Sequence, residues 1–203
     1  IDNGYSKFIS WQFRNLKKKG LIVQGSHPVG WCPQDQNPVS QHDTVGDIEP
    51  EVIEYVLVKF KFEEQYVIPT ATLRPETIFG VTNLWINPDI KYVIAQVNKE
   101  KWIITKEAAR KLEFLNASVS IISEIDGSDL IGKSVYDETR RQLVPMFPAS
   151  FVDPNNGTGI VMSVPAHSPY DYQALVDLKK DDNTLRKFAI TVNIVPIKII
   201  QTD

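Results

Sequence analysis

The sequence predicts a mixed α/β fold, a β-barrel decorated by helices. Three observations predict it. Short strand signals recur along most of the chain, few segments carry a helical period, and two strands run directly into helix starts.

The elements follow in order. Tyr5 to Lys19 places Phe8, Ile9, Trp11, Phe13 and Leu16 among basic residues, an amphipathic helix that Gly20 ends after a lysine run. Residues 25–50 hold four prolines and three glycines with little periodicity, and read as a ribbon-like linker. The organisation expected is therefore a helix and linker over 1–50, then the principal domain over 51–203. From Tyr55, Val56, Val58, Phe60 and Phe62 alternate with Leu57, Lys59 and Lys61, the period of a strand. Further strand signals fall at 66–72, 83–87, 91–97, 101–104, 119–125, 140–147, 159–164 and 191–199. Helical stretches lie near 105–114, 169–180 and 183–189.

Composition narrows the function classes. Over 203 residues, a hydrophobic share of 42% and a charged share of 23% are those of an ordinary globule and exclude disorder. A net charge of −3 argues against a domain that grips nucleic acid by its own field. No apolar run reaches the roughly 18 residues of a membrane span, and no signal peptide opens the chain. The single cysteine, Cys32, excludes an internal disulfide and a cysteine-rich zinc site; a reducing, cytoplasmic setting is the simplest reading. The sequons at Asn116 and Asn156 are then chance matches. A start at Ile1 without methionine suggests an excised piece of something larger.

Two stretches carry chemistry. In Gly157-Thr158-Gly159-Ile160-Val161-Met162-Ser163-Val164-Pro165-Ala166-His167-Ser168-Pro169-Tyr170-Asp171, a short apolar strand stops at Pro165. Ser168, Pro169 and Asp171 then spell a helix start: cap, first-turn proline and a carboxylate at capping-box spacing. Backbone N–H groups and one carboxylate at such a mouth suit a small polar ligand carrying an acceptor and an amine. In Thr70-Ala71-Thr72-Leu73-Arg74-Pro75-Glu76-Thr77, a strand again meets a short helix, with three hydroxyls and a guanidinium at the mouth. By itself this is an ordinary connection whose threonines satisfy local backbone groups. Two such mouths on one barrel can also converge into a single polar pocket.

Together, Thr72-Leu73-Arg74-Pro75-Glu76-Thr77 with Gly80, and Gly157-Thr158-Gly159 through Val164-Pro165-Ala166-His167 with Asp171, resemble two signatures of one family. That family is the inserted post-transfer editing domain of class I leucyl-, valyl- and isoleucyl-tRNA synthetases. The flanks Trp31-Cys32-Pro33, His42-Asp43, Thr82-Asn83-Leu84-Trp85 and Lys91-Tyr92-Val93 favour the leucyl type of archaea and the eukaryotic cytosol; the valyl type is the alternative. Unlike some relatives, Trp31-Cys32-Pro33-Gln34-Asp35 lacks a second cysteine, so no zinc ribbon can form. The HIGH and KMSKS signatures are missing too, and His27-Pro28-Val29-Gly30 is no substitute, so ATP and Mg would serve only a synthetic domain that this piece lacks.

The resemblance implies hydrolysis of the ester of mischarged tRNA for leucine, with isoleucine, valine, norvaline or methionine released and leucine spared. It implies no metal and no cofactor for editing, and as partners that tRNA's terminal adenosine and the rest of the synthetase. By position, Asp171 would hold the α-ammonium group, although on its own residues it equally closes a capping box with Ser168. Thr72 and Arg74 would lie near the terminal adenosine and the ester, and Thr77 would exclude leucine. Thr70, Leu73, Val164, Ala166, His167 and Tyr170 would line the substrate site. His167 reads equally as a turn residue and is given no catalytic role. A binding-only module with the same pocket is a further alternative.

One motif competes. Gly127-Ser128-Asp129-Leu130-Ile131-Gly132-Lys133-Ser134 matches the P-loop pattern letter for letter and follows a strand signal. A phosphate cradle also needs a helix opening at Gly132-Lys133-Ser134, whereas Val135-Tyr136-Asp137-Glu138-Thr139 has weak helix propensity. Nucleotide hydrolysis is therefore kept only as an outside alternative.

Overall fold

The structure, a computed structural model, describes residues 2–25, 29–32, 34–46, 53–115 and 117–200. His27, Pro28, Pro33, Asn116 and the 50/51 boundary named above lie outside them. The chain forms two compact units, residues 1–53 and 54–203.

In the first unit, α1 (Asn3–Lys18) starts at Asp2, whose side chain accepts from the Gly4 N–H, and ends among Lys17 and Lys18. A small ribbon follows, β1 (Trp31–Cys32) antiparallel to β2 (Asn37–Pro38). The Cys32 thiol donates to Asp35, 3.2 Å away.

The second unit is built on nine strands: β3 (Val56–Phe62), β4 (Tyr66–Thr72), β5 (Asn83–Ile86), β6 (Lys91–Val97), β7 (Glu100–Ile104), β8 (Val119–Asp126), β9 (Ser134–Asp137), β10 (Gln142–Pro148) and β11 (Ile160–Ser163). Their order is β11-β5-β10-β9-β3-β4-β7-β6-β8. Five places from β4 in this order, β11 nevertheless packs against it, so the first six strands curl round a common interior. Among the described residues the ladders themselves end at β11 and β8. Phe60, Ile68, Leu84, Ile86, Met146 and Ile160 fill that interior, each almost wholly buried. Three helices pack outside: α2 (Lys106–Phe114), α3 (Pro169–Lys180) and α4 (Asp182–Lys187). Each is capped from its own sequence, by the side chains of Thr105, Ser168 and Asp181 respectively.

One expectation is corrected, and one strand is added. Residues 191–199 form no strand: Pro196 has no N–H to give, and two of the segment's backbone groups bond side chains instead of a ladder. The Ile194 carbonyl accepts from Lys179, and the Ile199 N–H donates to His167. The stretch after the P-loop match is strand β9, paired with β10 and β3, and not a helix. Gly127–Leu130 is one 3-10 turn, and the Lys133 ammonium sits 3.8 Å from a Glu63 carboxylate oxygen. The phosphate cradle therefore lacks the helix it requires, so the motif match gives no support to nucleotide hydrolysis.

Two pins hold the start of β11. The Tyr92 hydroxyl, wholly buried, donates to the Gly159 carbonyl at 2.9 Å and accepts from the Asn87 N–H at 3.0 Å. Gly159 sits at φ +74°, where a Cβ would come within 2.1 Å of the Thr105 methyl carbon. Gly159→Ala should therefore cost more than about 2 kcal/mol, through overpacking as well as positive φ. Adding Thr105→Ser, which keeps the capping hydroxyl, should recover part of that loss in urea unfolding.

Burial pushes the Tyr92 hydroxyl up to about 12 from the ordinary tyrosine value. Between pH ~10 and 12 the unfolded chain releases a proton that the fold retains, so stability falls as pH rises through that window. Denaturant unfolding should show a loss of about 2–3 kcal/mol there. Tyr92→Phe should lower neutral-pH stability by about 1–3 kcal/mol and flatten the part of the alkaline slope that Tyr92 carries.

Candidate functional site

The site grows from the β5–β11 pair. Antiparallel register sets Ser163 opposite Asn83, Val161 opposite Trp85 and Met162 opposite Leu84. Alternation then sends Leu84, Ile86, Ile160 and Met162 into the barrel and leaves Asn83, Trp85, Val161 and Ser163 on the outer face. Trp85 is 1% exposed and packs against Phe147 and, from α3, Leu175 and Leu178.

Asp171 lies in the first turn of α3, 7% exposed. One carboxylate oxygen accepts from the Trp85 indole N–H at 3.0 Å, and the other from the Val164 N–H at 2.9 Å. The capping box expected with Ser168 is only half made. The Ser168 hydroxyl accepts from the Asp171 N–H at 3.3 Å, but the Ser168 N–H donates to the Val164 carbonyl. Released from the cap, the carboxylate bridges strand end and helix start. A carboxylate offers about four acceptor positions, and these bonds use two.

The other signature holds itself by hydroxyls. Thr72 ends β4 and its Oγ1 accepts from the Arg74 N–H at 3.1 Å. Pro75–Gly80 forms a 3-10 turn, within which Thr77 donates its hydroxyl to the Arg74 carbonyl at 2.7 Å. Thr72 and Thr77 are half-buried, and Arg74 and Leu73 are exposed. Thr70 is wholly buried, its hydroxyl donating to the Val58 carbonyl at 3.4 Å.

The structure brings the two signatures to the same end of β5 and β11. The Thr82 N–H donates to the Ser163 carbonyl at 3.0 Å, and Ile78 and Val164 pack on the same core. Both also meet the segment after α4. The Ile199 N–H donates to His167 Nε2 at 2.9 Å, while a Cβ on Gly80 would lie 3.0 Å from the Ile199 side chain. Beside it, Ala166, His167, Tyr172, Pro196 and Lys198 line a cleft of about 670 Å³. Tyr170 is 89% exposed on the first turn of α3. Thus Val164 and Asp171 are directly bonded, as are Thr72 with Arg74 and Arg74 with Thr77. No described hydrogen bond joins the threonine group to Asp171.

Sequence reasoning missed three groups. In the sequence Trp85 is only part of a flank, yet its indole N–H orients the carboxylate. Asn83 and Ser163 face each other, wholly buried, and neither the Asn83 amide nitrogen nor the Ser163 hydroxyl has a protein partner among the described residues. The third is Arg140, whose guanidinium reaches the carbonyls that follow Thr77. Only a polar residue inside an apolar strand, as at Asn83 and Ser163, could have signalled any of them. Among the described residues there is no group of three or more His, Cys, Asp or Glu side chains placed to hold a metal, and no helix long and apolar enough to cross a membrane.

Comparison with known proteins gives the family. Residues 54–181 match the family model described as leucyl-tRNA synthetase, editing domain. The chain is 48% identical to a leucine–tRNA ligase of Archaeoglobus fulgidus over 100% of its own length and 22% of the relative. It is 52% identical to one of Methanococcoides burtonii, over 98% and 21%. The chain thus spans about a fifth of these relatives. Among solved structures, GlLeuRS-CP1 superposes with a TM-score of 0.63 at 26% identity, covering 70% of this chain and 67% of that one. The editing domain of P. knowlesi cytosolic leucyl-tRNA synthetase superposes with a TM-score of 0.61 at 16% identity, covering 68% and 66%, a likeness of fold. The match is to the leucyl type, which displaces the valyl alternative, and the chain belongs to the leucyl-tRNA synthetase editing-domain family.

Proposed function

We propose that this domain performs post-transfer editing: it hydrolyses the ester between a wrong amino acid and the terminal adenosine of tRNA for leucine, and spares leucine. The observation that carries the reading is the Asp171 carboxylate, buried and fixed through both oxygens while keeping acceptor capacity. A substrate's α-ammonium group is the ligand that such a carboxylate suits. Thr72 and Arg74 border the adenosine and the ester, and Leu73, Val164, Ala166, His167 and Tyr170 border the bound end more loosely. Thr70 supports the wall from within. The partners are the tRNA and the remainder of a cytoplasmic synthetase. ATP and Mg serve that remainder, and editing itself uses neither.

The need for such a site is energetic. One methylene in a hydrophobic pocket is worth only about 1–3 kcal/mol, or roughly 10–200-fold discrimination, so a second pocket of different shape must do the rest. Thr77 supplies that shape, its hydroxyl anchored so that its bulk stays where leucine's branch would need to go. The chemistry follows from orientation. His167 Nε2 already accepts from Ile199, the Thr77 hydroxyl gives its proton to the Arg74 carbonyl, and the Thr72 hydroxyl accepts the Arg74 N–H. A water held by backbone groups and the neighbouring ribose hydroxyl then attacks the ester carbon, the bond from that carbon to the ribose oxygen breaks, and the water's proton passes to that oxygen as the amino acid leaves, with the pocket stabilising the developing charge.

Deacylation of tRNA for leucine charged with isoleucine, valine, norvaline or leucine tests this. The wrong amino acids should be released and leucine retained. Asp171→Asn should slow release about a hundredfold or more with the fold intact by circular dichroism. Thr77→Ala should let leucine be released as well. Full activity of the Asp171 variant would remove the role given to Asp171, and pocket binding without hydrolysis in the native chain would replace the enzyme reading by a binding-only module. In a separate measurement, Trp85→Phe should cost about 1–3 kcal/mol in urea unfolding by leaving one Asp171 oxygen short of its donor.

A further inference from the structure

Arg140 and Asp137 form an ion pair at the turn between β9 and β10, Nε to Oδ2 2.6 Å, with side chains 11% and 1% exposed. The other Asp137 oxygen accepts from the Thr139 N–H at 2.9 Å and the Arg140 N–H at 3.3 Å, so Asp137 builds the turn as well as holding the guanidinium. Arg140 Nη1 then donates to the Val81 carbonyl at 2.6 Å and reaches the Phe79 carbonyl at 3.5 Å. The neighbouring Gln142 amide satisfies the guanidinium's outer edge when its oxygen faces Arg140, at 3.0 and 2.9 Å.

Those two carbonyls close the Pro75–Gly80 turn that carries Thr77. The last carbonyls of a helical turn have no donor within it, and a cation there satisfies them and complements the local dipole. A 3-10 run of six residues is longer than such turns usually sustain alone. This one is fastened at its entrance by Thr72 and Thr77 and at its exit by Arg140. A buried ion pair contributes little net stability over apolar residues of the same volume. Its effect here is to grip a neighbouring backbone that bears the excluding side chain.

We infer that Arg140, held by Asp137, is a positioning residue for specificity: it fixes the turn so that Thr77 stays in the path of leucine. The inference rests on the editing reading of Thr77. The fork is essential, because a lysine in its place keeps the charge but cannot bond Asp137 and the Val81 carbonyl through separate planar N–H groups.

The test compares the native chain with Arg140→Lys and Asp137→Asn, and with Glu138→Gln on the same turn as a control. Two readouts are taken: kcat/KM for isoleucyl and leucyl esters of tRNA for leucine, and amide hydrogen exchange. The ratio of isoleucyl to leucyl hydrolysis should fall about tenfold in the two variants and stay unchanged in the control, the size of one charge-assisted hydrogen bond. Exchange at the Thr77 and Val81 amides should quicken about as much, while Val93 and Ala95 in β6 keep their native rates. An unchanged ratio with unchanged exchange overturns the inference, and so does a uniform rise across all amides, which would mean general destabilisation. If the native chain releases neither amino acid, the editing reading fails. The exchange pattern then still decides whether Arg140 holds the turn.

Discussion

The bond from the Trp85 indole to Asp171 is the interaction on which the site depends, because it ties three levels of structure in one contact. Trp85 is fixed by the β5–β11 register and by the apolar layer under α3. Asp171 is fixed by the first turn of that helix and by the Val164 N–H. A one-residue slip of β11 against β5 would carry Val161 and Ser163 to the barrel interior and Met162 to the outside. The apolar burial of Ile160 and Met162 opposes that slip, so barrel packing sets the geometry of a carboxylate that lies outside the barrel interior. Both its oxygens are engaged, so the aspartate is held in one place by the protein itself, and a ligand proposed to meet it would find it already ordered.

The Gly-Thr-Gly stretch shows the same coupling from the other side. A Cβ on Gly157 would come within 2.7 Å of Ala71, next to Thr72, and one on Gly159 would enter Thr105. The Thr105 N–H donates to the Thr158 carbonyl at 3.1 Å, and Tyr92 holds Gly159. The glycines therefore let one backbone pass close to β4 on one side and to the start of α2 on the other. This close approach lets β11 reach β4 although no ladder joins them. It brings the start of the second signature to the strand that leads into the first.

Much of this was legible in the residues. The alternation of β3, the apolar runs of β4, β6 and β11, and the caps of α2 and α3 are local patterns, and each element lies within a few residues of its expected place. β9 was not legible. It is four residues long and half polar, and its Asp137 is buried only because Arg140 comes back from the next turn to meet it. Residues 191–199 misled in the opposite direction. They alternate like a strand, but alternation reports which side chains face a surface and says nothing of where the backbone finds partners. At the site, the motif residues could be named, while the groups that orient them could not. Trp85 and Arg140 act from 86 and 59 residues away in sequence, through contacts no local pattern encodes.

The arrangement also accounts for the kind of chemistry that the pocket can support. A nucleophilic mechanism needs a hydroxyl or thiol within reach of a base that is itself free to take a proton. Here the candidate hydroxyls donate to or accept from the backbone that shapes the pocket. Thr77 gives its proton to the Arg74 carbonyl, and Thr72 receives the Arg74 N–H. The histidine of the second signature accepts from Ile199. Making Thr77 a nucleophile or His167 Nε2 a base would break a bond that holds the Pro75–Gly80 turn or the segment across it. Editing an aminoacyl ester does not require that exchange, since the ester is already activated and the ribose brings its own hydroxyl. A site whose side chains are committed to holding shape can therefore discriminate by fit and hydrolyse by orientation, and the same bonds serve both ends.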